Sequence, residues 1–375
     1  MLRRWQWRRL RRRVARPQPA PAVRPGDAVI EGCRAYVAAL QKGNEELVAQ
    51  ALRQALSAEA AIAPSGITRE GSSGRQAQLA AYYAAAWLAA RRRGRPEQWR
   101  LAALARSVQA ALTAITLPGG LPRIGDMPED TPPEIADEDK PALEELQRQA
   151  RLHDLEALRQ DGWLRLDAGP WSGLWHCPAD GWPMNHGLAH QDLGAGELHF
   201  KGVPLFIDPG MAPAERGLDP LYRSAAMHGG ISLLGRDPYP FDRPLYDAAF
   251  RHDIAGPAPL LRGTGDGVQV AFDGYARLGG HRRVERHWRF EGSSLRIDDL
   301  VLGTGRPRIE RRLITPWPAI QAEGGILLHK GDHRLILSAE LPASLHMADQ
   351  GLSVISFTIA ANLPWRGAID VRPLP

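Results

Sequence analysis

Four side chains near the middle of the sequence have the types and spacing needed to bind a metal ion. The stretch HQDLGAGELHFKGVPLFIDPG begins at His190, contains Asp192 and ends two residues after Asp208. Side chains two apart on a strand share a face, so His190 and Asp192 are predicted to lie together, with Asp208 at the end of the next strand. His228, just before the apolar run ISLL, is the best third ligand. Two imidazoles and a carboxylate bind Zn²⁺ well and leave a fourth position for water or a neighbouring group.

The spacing of these residues leaves a second interpretation open. It lacks the compact periodicity of a Cys-x-x-Cys finger or of a His-Glu-x-x-His helix. The alternative is that the four residues are ordinary strand polar groups satisfied by hydrogen bonds.

The residues before this stretch are predicted to form helices. Apolar residues recur at helical spacing over 28–56, 75–93 and 97–116. A fourth pattern, KPALEELQRQARLHDLEALRQDG, has proline near its start and ends at glycine. The segment LPGGLPRIGDMPEDTPPEIADED, rich in proline, glycine and acidic residues, must be a loop.

After Asp161 the pattern changes to short alternating runs bounded by glycine, proline and aspartate, which predict strands and hairpins. Because helices precede strands without βαβ alternation, we predict an α+β protein, with a helical region followed by an antiparallel β-sandwich. The predicted division is a basic leader over 1–26, a helical domain over 27–162 and a β-sandwich domain over 163–375.

The positive charge of the chain is concentrated in its first 16 residues, MLRRWQWRRLRRRVAR, which carry eight arginines and no acid. Subtracting these eight charges from the net +5 leaves −3, so nucleic acid is not expected as the partner. We interpret the leader as disordered or as a misassigned start, or alternatively as an arm that touches anionic lipid or polymer. Neither a signal peptide nor a membrane-spanning run is visible, so the cytoplasm is the expected location. The two cysteines, Cys33 and Cys177, are expected to be buried thiols.

The stretch GLAHQDLGAGELHFKGVPLFIDPG, followed by YRSAAMHGG, resembles the heparinase II/III-like polysaccharide lyases. Their pattern reads approximately Gly-His-x-His-x-Asp-x-Gly-x-Phe-Glu-Leu, then a strand ending in Asp-x-Gly, then Tyr-Arg-Ser-Thr-x-x-His-Asn. Upstream, GITREGSSGRQAQLAAYYAAAWLAA and LPGGLPRIGDMPE are similar to the last helices of that family's α/α toroid and the Pro-x-Ile-Gly-Asp loop after them. The resemblance covers roughly residues 60 to 300 and suggests that the helical region is a shortened toroid.

The resemblance implies a zinc site and an activity. By position, His190, Asp208 and His228 would bind a chiefly structural zinc ion, and Asp192 would accept a hydrogen bond that orients a ligating histidine. The family acts on polymers that contain uronic acids: a base removes the proton at C5 and an acid protonates the departing C4 oxygen. An acidic polysaccharide or oligosaccharide is therefore the expected partner. Relatives are commonly periplasmic, which is the alternative location.

Three features depart from the family pattern. Leu188 stands where relatives commonly have the first His of His-x-His, and Gly74 and Arg75 stand where they tend to have a Tyr-His pair. The helical region is also much shorter than the usual toroid. The catalytic site is therefore expected to be incomplete or to use substitute residues.

Four residues are candidates for the missing catalytic roles. Tyr222 could act as acid or base if Arg223 stabilises its phenolate, or it could be a core tyrosine. His186 could replace the lost imidazole, or it could be a solvated loop residue. Arg75 and Arg223 could bind a substrate carboxylate, or they could form ordinary salt bridges.

The run GHRRVERHWRF gives one predicted strand two different faces. Either face could line a groove for an acidic polymer, although solvated strand positions are the favoured explanation of the pattern. One face carries His281, Arg283, Glu285, His287 and Arg289, and the other carries Arg282, Val284, Arg286 and Trp288.

The sequence thus predicts a polysaccharide lyase that cleaves a uronic-acid-containing glycan by β-elimination. The alternative is a catalytically impaired relative, in which zinc stabilises a module that binds glycan or protein.

Overall fold

The computed structural model describes residues 24–127, 133–150, 155–179, 181–182, 188–211, 220–240, 245–280, 282–348 and 351–375. Within these residues, helices joined by loops extend up to Gln160, and the first strand begins at Trp163. The predicted order of helices followed by antiparallel sheets is confirmed. Of the predicted leader only residues 24–26 are described, and two of them already belong to the first helix.

Six helices precede the first strand in the described part of the chain. They are α1 (Pro25–Lys42), α2 (Glu45–Leu56), α3 (Ser73–Arg92), α4 (Gln98–Ile115), α5 (Lys140–Gln149) and α6 (Leu155–Gln160).

The pattern that predicts one helix over 28–56 forms two. Gly43 adopts a left-handed conformation (φ 66°) at the end of α1, a conformation that glycine reaches without strain. The side chain of Asn44 then caps α2 by accepting a hydrogen bond from the backbone N–H of Leu47. The Gly-Asn pair therefore ends one helix and starts the next.

The helices pack around a core of small and aromatic side chains. Tyr36 on α1 and Tyr83 on α3 are fully buried, and Val108 on α4 packs in the same core. Most of α3 is buried, which its alanine-rich composition allows because small side chains let neighbouring helices approach closely. This core holds the N-terminal end of α3 in a defined position.

In the described residues after Gln160 strands dominate, with one further α-helix, α7 (Ala248–Ala255). The strands are β1 (Trp163–Ala168), β2 (Trp171–His176), β3 (Glu197–Phe200), β4 (Val203–Phe206), β5 (Ile231–Leu233), β6 (Leu260–Gly263), β7 (Gly267–Phe272), β8 (Arg283–Glu291), β9 (Ser294–Leu302), β10 (Arg308–Thr315), β11 (Ala319–Ala322), β12 (Gly325–Lys330), β13 (His333–Ala339), β14 (Ala343–Met347), β15 (Ser353–Ala360) and β16 (Trp365–Pro373).

These strands form three antiparallel sheets. Two have four strands, in the orders β1-β2-β3-β4 and β14-β15-β10-β5, and the third has eight, in the order β11-β12-β13-β16-β9-β8-β7-β6. One hydrophobic core contains Trp175 from the first sheet, Phe357 from the second and Trp288 from the third. The sheets therefore pack on one another through their apolar faces, as in a sandwich.

The alternation predicted for GHRRVERHWRF is present in β8. Val284, Arg286 and Trp288 are buried, whereas Arg289 on the opposite face is exposed. The charged face thus points away from the core.

A separate apolar cluster joins the helices to the sheets. Ile115 at the end of α4 and Ile124 in the following loop pack with Trp163 and Leu174 of the first sheet. The loop after α4 is thereby held against the β region, at the place where the functional candidates lie.

Two further predictions can be compared with the fold. Cys33 and Cys177 are buried and form no disulfide. Among the described residues, no helix has the length and apolar character needed to cross a bilayer.

Candidate metal centre

His190, Asp208 and His228, which we call the metal cluster, come from three loops of the β region. His190 lies in the loop before β3, Asp208 follows β4, and His228 follows a short helical turn and precedes β5. All three are almost fully buried, at 0%, 5% and 1% exposure. One potential ligand atom from each lies within 4.8 Å of the other two. The sequence prediction that these three side chains converge therefore agrees with the geometry.

The loop that carries His190 differs from the prediction. Residues 188–196 are not a strand, so His190 and Asp192 do not share a strand face. Gly194 adopts a positive φ of 78° in this loop, and a backbone hydrogen bond from Ala195 N–H to the Asp192 carbonyl closes a turn. The glycine-rich run that resembles a strand end in the sequence instead reverses the chain.

The two histidines have the same orientation relative to the cluster. Nε2 of His190 lies 2.8 Å from Oδ1 of Asp126, and the Nε2–H of His228 donates to the Tyr222 carbonyl at 2.9 Å. Nδ1 of His228 lies 2.9 Å from Oδ2 of Asp208, while Nδ1 of His190 has no hydrogen-bond partner among the described residues. Metal-bound histidines usually have one ring nitrogen held by a carboxylate or carbonyl and the other directed at the metal. The donor set and the orphaned nitrogen therefore fit a zinc ion.

The electrostatics of the metal cluster favour a cation. Burial alone would lower the pKa of His228, but the carboxylates of Asp208 and Asp192 outweigh it and raise the pKa to about 9. In the metal-free protein a proton on His228 thus balances part of the buried negative charge. A divalent ion at the same place would replace that proton.

Asp208 is held from both sides. Its backbone N–H donates to Oε2 of Glu197 at 2.7 Å, and its Oδ1 accepts from the backbone N–H of Gly210 at 2.8 Å. The second carboxylate oxygen is left to face His228. The Asp-Pro-Gly turn therefore directs one oxygen into the metal cluster.

The resemblance implied that Asp192 orients a ligating histidine, but the structure gives this role to other acceptors. The acceptors for His190 and His228 are Asp126 and the Tyr222 carbonyl. Asp192 instead faces His176, with 3.5 Å between Oδ2 and Nδ1. Burial would raise the pKa of Asp192, but the charge of His176, followed by those of the cluster histidines, lowers it. Asp192 thus adds a buried negative charge beside the metal cluster.

Asp126 contacts both His190 and Arg223, although its sequence position did not mark it as a candidate site residue. Its backbone N–H donates to the Leu188 carbonyl at 2.8 Å, and its own carbonyl accepts a hydrogen bond from Ser72, the residue that caps α3. Burial would raise the pKa of Asp126, but the hydrogen bond with His190 and the charge of Arg223 lower it. The Ile-Gly-Asp sequence marked this loop, but its contact with His190 depends on the packing of the helices against the sheets.

Gly125 permits this close crossing. Its φ is 73°, and a Cβ at this position would lie 2.5 Å from the Gly71 carbonyl oxygen and 2.7 Å from that of Leu188. No other residue fits there without moving the loop.

The buried side chain of Arg75 forms salt bridges, which agrees with the second of the two alternatives that the sequence left open for it. Its side chain is 3% exposed, its Nε lies 2.9 Å from Oε2 of the buried Glu70, and it also pairs with Asp27 at the start of α1. Because Arg75 lies in the first turn of α3, the helix packing directs it toward α1. Its role is to join these two helices.

The other catalytic candidates are placed differently from one another. Tyr222 is 2% exposed, and it contributes its carbonyl to the His228 contact, which agrees with the alternative of a core tyrosine. The side chain of Arg223 is 26% exposed, and its Nη2 lies 2.6 Å from Oδ2 of Asp126. His186 lies outside the described residues. Among these described candidates, Arg223 is therefore the one with a partly exposed side chain beside the metal cluster.

A second buried group, which we call the arginine cluster, consists of Arg286, Asp299 and Arg311. Arg286 binds both oxygens of Asp299, at 2.7 and 2.9 Å, and Nε of Arg311 lies 2.6 Å from Oδ2. Nη1 of Arg286 also donates to the Gly229 carbonyl at 3.2 Å, next to His228. Arg286, on the buried face of β8, thus contacts the loop that carries His228.

Comparisons with known proteins agree with this architecture. Residues 150–347, more than half of the 375-residue chain, match the family model described as heparinase II/III-like, C-terminal. No curated protein is significantly similar to the chain in sequence.

Solved structures with a similar fold include two lyases. Heparan sulfate lyase HepC from Pedobacter heparinus is 14% identical, with a TM-score of 0.61 over 92% of this chain and 59% of that protein. A structure of heparinase III is 15% identical, with a TM-score of 0.64 over 92% of this chain and 61% of that one. The chain therefore spans about three fifths of the length of these proteins. At these identities the similarity establishes the fold, and the family match over residues 150–347 shows that the chain belongs to the heparinase II/III-like family.

Proposed function

We propose that the protein is a polysaccharide lyase that cleaves a uronic-acid-containing glycan by β-elimination. Membership of the heparinase II/III-like family supports this proposal, as does the fold shared with proteins named heparan sulfate lyase and heparinase III. The observation that carries it is the partly exposed Arg223 next to a buried metal cluster, because an anionic substrate needs a cation that it can reach from the protein surface.

Arg223 is proposed to bind the substrate carboxylate. Removal of the C5 proton places negative charge on that carboxylate, so a positioned guanidinium lowers the barrier by stabilising the charge. Asp126 holds the guanidinium through Nη2. Tyr222 and His186 are proposed as substitutes for the general base and acid of the family, because this chain has Leu188, Gly74 and Arg75 at the family's positions.

We also propose that His190, Asp208 and His228 hold a zinc ion, and that the helical region is the last part of an α/α toroid. The ion would supply a fixed positive charge and a link between three loops. The chain's own contribution is to orient the ligands, through Asp126 for His190 and the Tyr222 carbonyl for His228.

The zinc proposal is tested by metal analysis of the purified protein and by thermal unfolding. At zinc concentrations a hundred times Kd, binding should stabilise the fold by about 2.7 kcal/mol. His190→Ala should lose both bound zinc and the stabilisation. His287→Ala, on the outer face of β8, is the matched control and should keep both. Equal zinc content in wild type and His190→Ala would contradict the proposed site.

The lyase proposal is tested by incubating the protein with polyuronates and glycosaminoglycans and recording the ultraviolet absorbance of the unsaturated uronate product. Arg223→Gln should reduce the rate by about a hundredfold or more, the range found when one contact that stabilises transition-state charge is removed. Arg296→Gln, on the eight-stranded sheet, should leave the rate unchanged. No product from any polymer would overturn the proposal.

The second candidate function is a zinc-stabilised module that binds glycan or protein without cleaving it. Two observations favour it: Leu188 is a buried apolar residue, 2% exposed, and Arg75 is occupied by Glu70. Retained glycan binding with no product in the absorbance assay would support this module over the lyase.

A further inference from the structure

We infer that metal binding and recognition of an anionic group are coupled in this protein, with Asp126 as the positioning residue that connects them. The inference rests on the proposed zinc site and acidic substrate, and it adds that each ligand raises the affinity for the other. It is carried by hydrogen bonds that join the metal cluster to Arg223.

The first connection is the carboxylate of Asp126. One of its oxygens lies 2.8 Å from Nε2 of His190, and the other lies 2.6 Å from Nη2 of Arg223. The Asp126 side chain is 11% exposed and that of Arg223 is 26% exposed, whereas His190 is fully buried. The three side chains therefore form a continuous path from the buried cluster to the surface.

The second connection is the short helical turn Pro220–Arg223. The Tyr222 carbonyl accepts the hydrogen bond from Nε2 of His228, and the Arg223 carbonyl accepts one from the backbone N–H of Gln191 at 3.0 Å. Two successive residues of one turn thus contact His228 and the neighbour of His190. Any change in the position of either histidine is transmitted to the backbone that carries Arg223.

These contacts lead to coupling for a physical reason. A metal ion on Nδ1 of His190 fixes the ring and strengthens the hydrogen bond from Nε2 to Asp126. A fixed Asp126 limits the orientations of the Arg223 guanidinium, so an anion binds with a smaller loss of conformational freedom. Because binding linkage is reciprocal, an anion on Arg223 must increase zinc affinity by the same factor.

The anchoring of Asp126 supports a positioning role. Its backbone bonds to the Leu188 carbonyl and to Ser72, so the carboxylate has little freedom to follow one partner and leave the other. Because its two oxygens contact His190 and Arg223, a change in the orientation of one of these side chains is transmitted through the Asp126 carboxylate to the other. The anionic group can be a uronate carboxylate or a sulfate, because both accept hydrogen bonds from a guanidinium.

The experiment measures zinc affinity by chelator competition, with and without a saturating anion. The probes are a galacturonate tetrasaccharide, its methyl ester and inorganic sulfate, so that a response to each names the recognised group. In wild type, zinc affinity should rise at least about fivefold with the effective anion. It should not rise with the methyl ester if the carboxylate is recognised.

Three variants separate coupling from a general structural effect. Asp126→Asn should weaken zinc binding about tenfold or more and remove the response to the anion. Arg223→Gln should remove the response while changing zinc affinity in the absence of anion by less than Asp126→Asn does. The double variant should show the single effects to be non-additive. Asp370→Asn, whose carboxylate pairs with Arg296 at 3.2 Å on the eight-stranded sheet, is the control and should behave as wild type.

Each outcome is decisive for the coupling and separate from lyase activity. If zinc affinity in wild type is the same with and without every anion, the coupling is wrong, even if Asp126→Asn weakens zinc binding. If the response survives in Asp126→Asn, another route carries it and Asp126 is not the positioning residue. Absence of eliminated product, by contrast, overturns only the proposed function.

Discussion

The metal cluster and the arginine cluster are both buried groups of charged side chains, but they differ in the types of side chain that converge. In the arginine cluster, both oxygens of Asp299 accept hydrogen bonds from guanidinium groups. In the metal cluster, Nδ1 of His190 has no hydrogen-bond partner within the described part of the chain. Nη2 of Arg311 also lacks a hydrogen-bond partner among the described residues, so an unpaired atom does not separate the two clusters. The donor types do: two imidazoles and a carboxylate can bind a metal ion, whereas guanidinium groups cannot and instead pair with Asp299.

The two clusters also act on the same loops. Nη1 of Arg286 lies within hydrogen-bond distance of the carbonyls of Gly194, at 3.5 Å, and Gly229, at 3.2 Å. These glycines lie in the loops that carry His190 and His228. The arginine cluster therefore holds the two loops through hydrogen bonds to their carbonyls, and a metal ion bound to His190 and His228 would add a further link between them.

The largest expected effect comes from Asp299→Asn. Removing the carboxylate leaves two buried arginines without a counter-charge, which should lower the free energy of unfolding by about 3–5 kcal/mol. The loss, measured by urea denaturation, should be the same with and without zinc. The exposed control Asp370→Asn should cost less than about 1 kcal/mol. A smaller loss of unfolding free energy in the presence of zinc than in its absence would show that the two clusters are coupled.

The pH dependence of the metal-free protein should distinguish the clusters next. The pKa of His228 is about 9 in the folded protein and near 6.5 when unfolded, so its protonation stabilises the fold fully below pH 6.5. This stability, at most about 3 kcal/mol, is lost as the pH rises through 9. Burial would raise the pKa of Asp299, but the charges of Arg286 and Arg311 outweigh it and lower the pKa, so this carboxylate should stay ionised throughout this range.

Denaturant unfolding at a series of pH values measures this dependence. His228→Asn should flatten the curve between pH 6.5 and 9, and saturating zinc should do the same in wild type, because the ion replaces the proton. An unchanged slope in His228→Asn would assign the titration to another group.

A smaller effect is expected for Gly125→Ala, which disturbs only the metal cluster. The left-handed backbone and the approach to the Gly71 and Leu188 carbonyls should cost about 1–3 kcal/mol. Zinc affinity should also fall, since the loop that carries Asp126 moves.

Gly43→Ala is the matched control, because its φ is 66° and an added Cβ meets nothing within 4 Å. It should cost about 1 kcal/mol and leave zinc affinity unchanged. Normal zinc affinity in Gly125→Ala would mean that the loop does not position the metal cluster.

Local patterns predicted much of the secondary structure because they depend on short-range periodicity. The alternation in β8 separates buried Arg286 from exposed Arg289, as the sequence suggests. Other elements depended on competing signals. The helical pattern over 28–56 is interrupted at Gly43, and the polar run with His190 and Asp192 forms a loop. In both places glycine overrides the periodicity by allowing a backbone conformation that ends a helix or strand.

Residue types and order by themselves determined the helical and β parts of this protein, and they marked His190, Asp208 and His228 as possible metal ligands. Only the tertiary structure decided which groups orient those ligands, because Asp126 is 64 residues from His190 in sequence. It also decided that Arg75 is buried in an ion pair with Glu70, whereas the side chain of Arg223 is partly exposed. The type of a charged residue states what it can bind, whereas its partner and its exposure depend on which segments the folded core brings together.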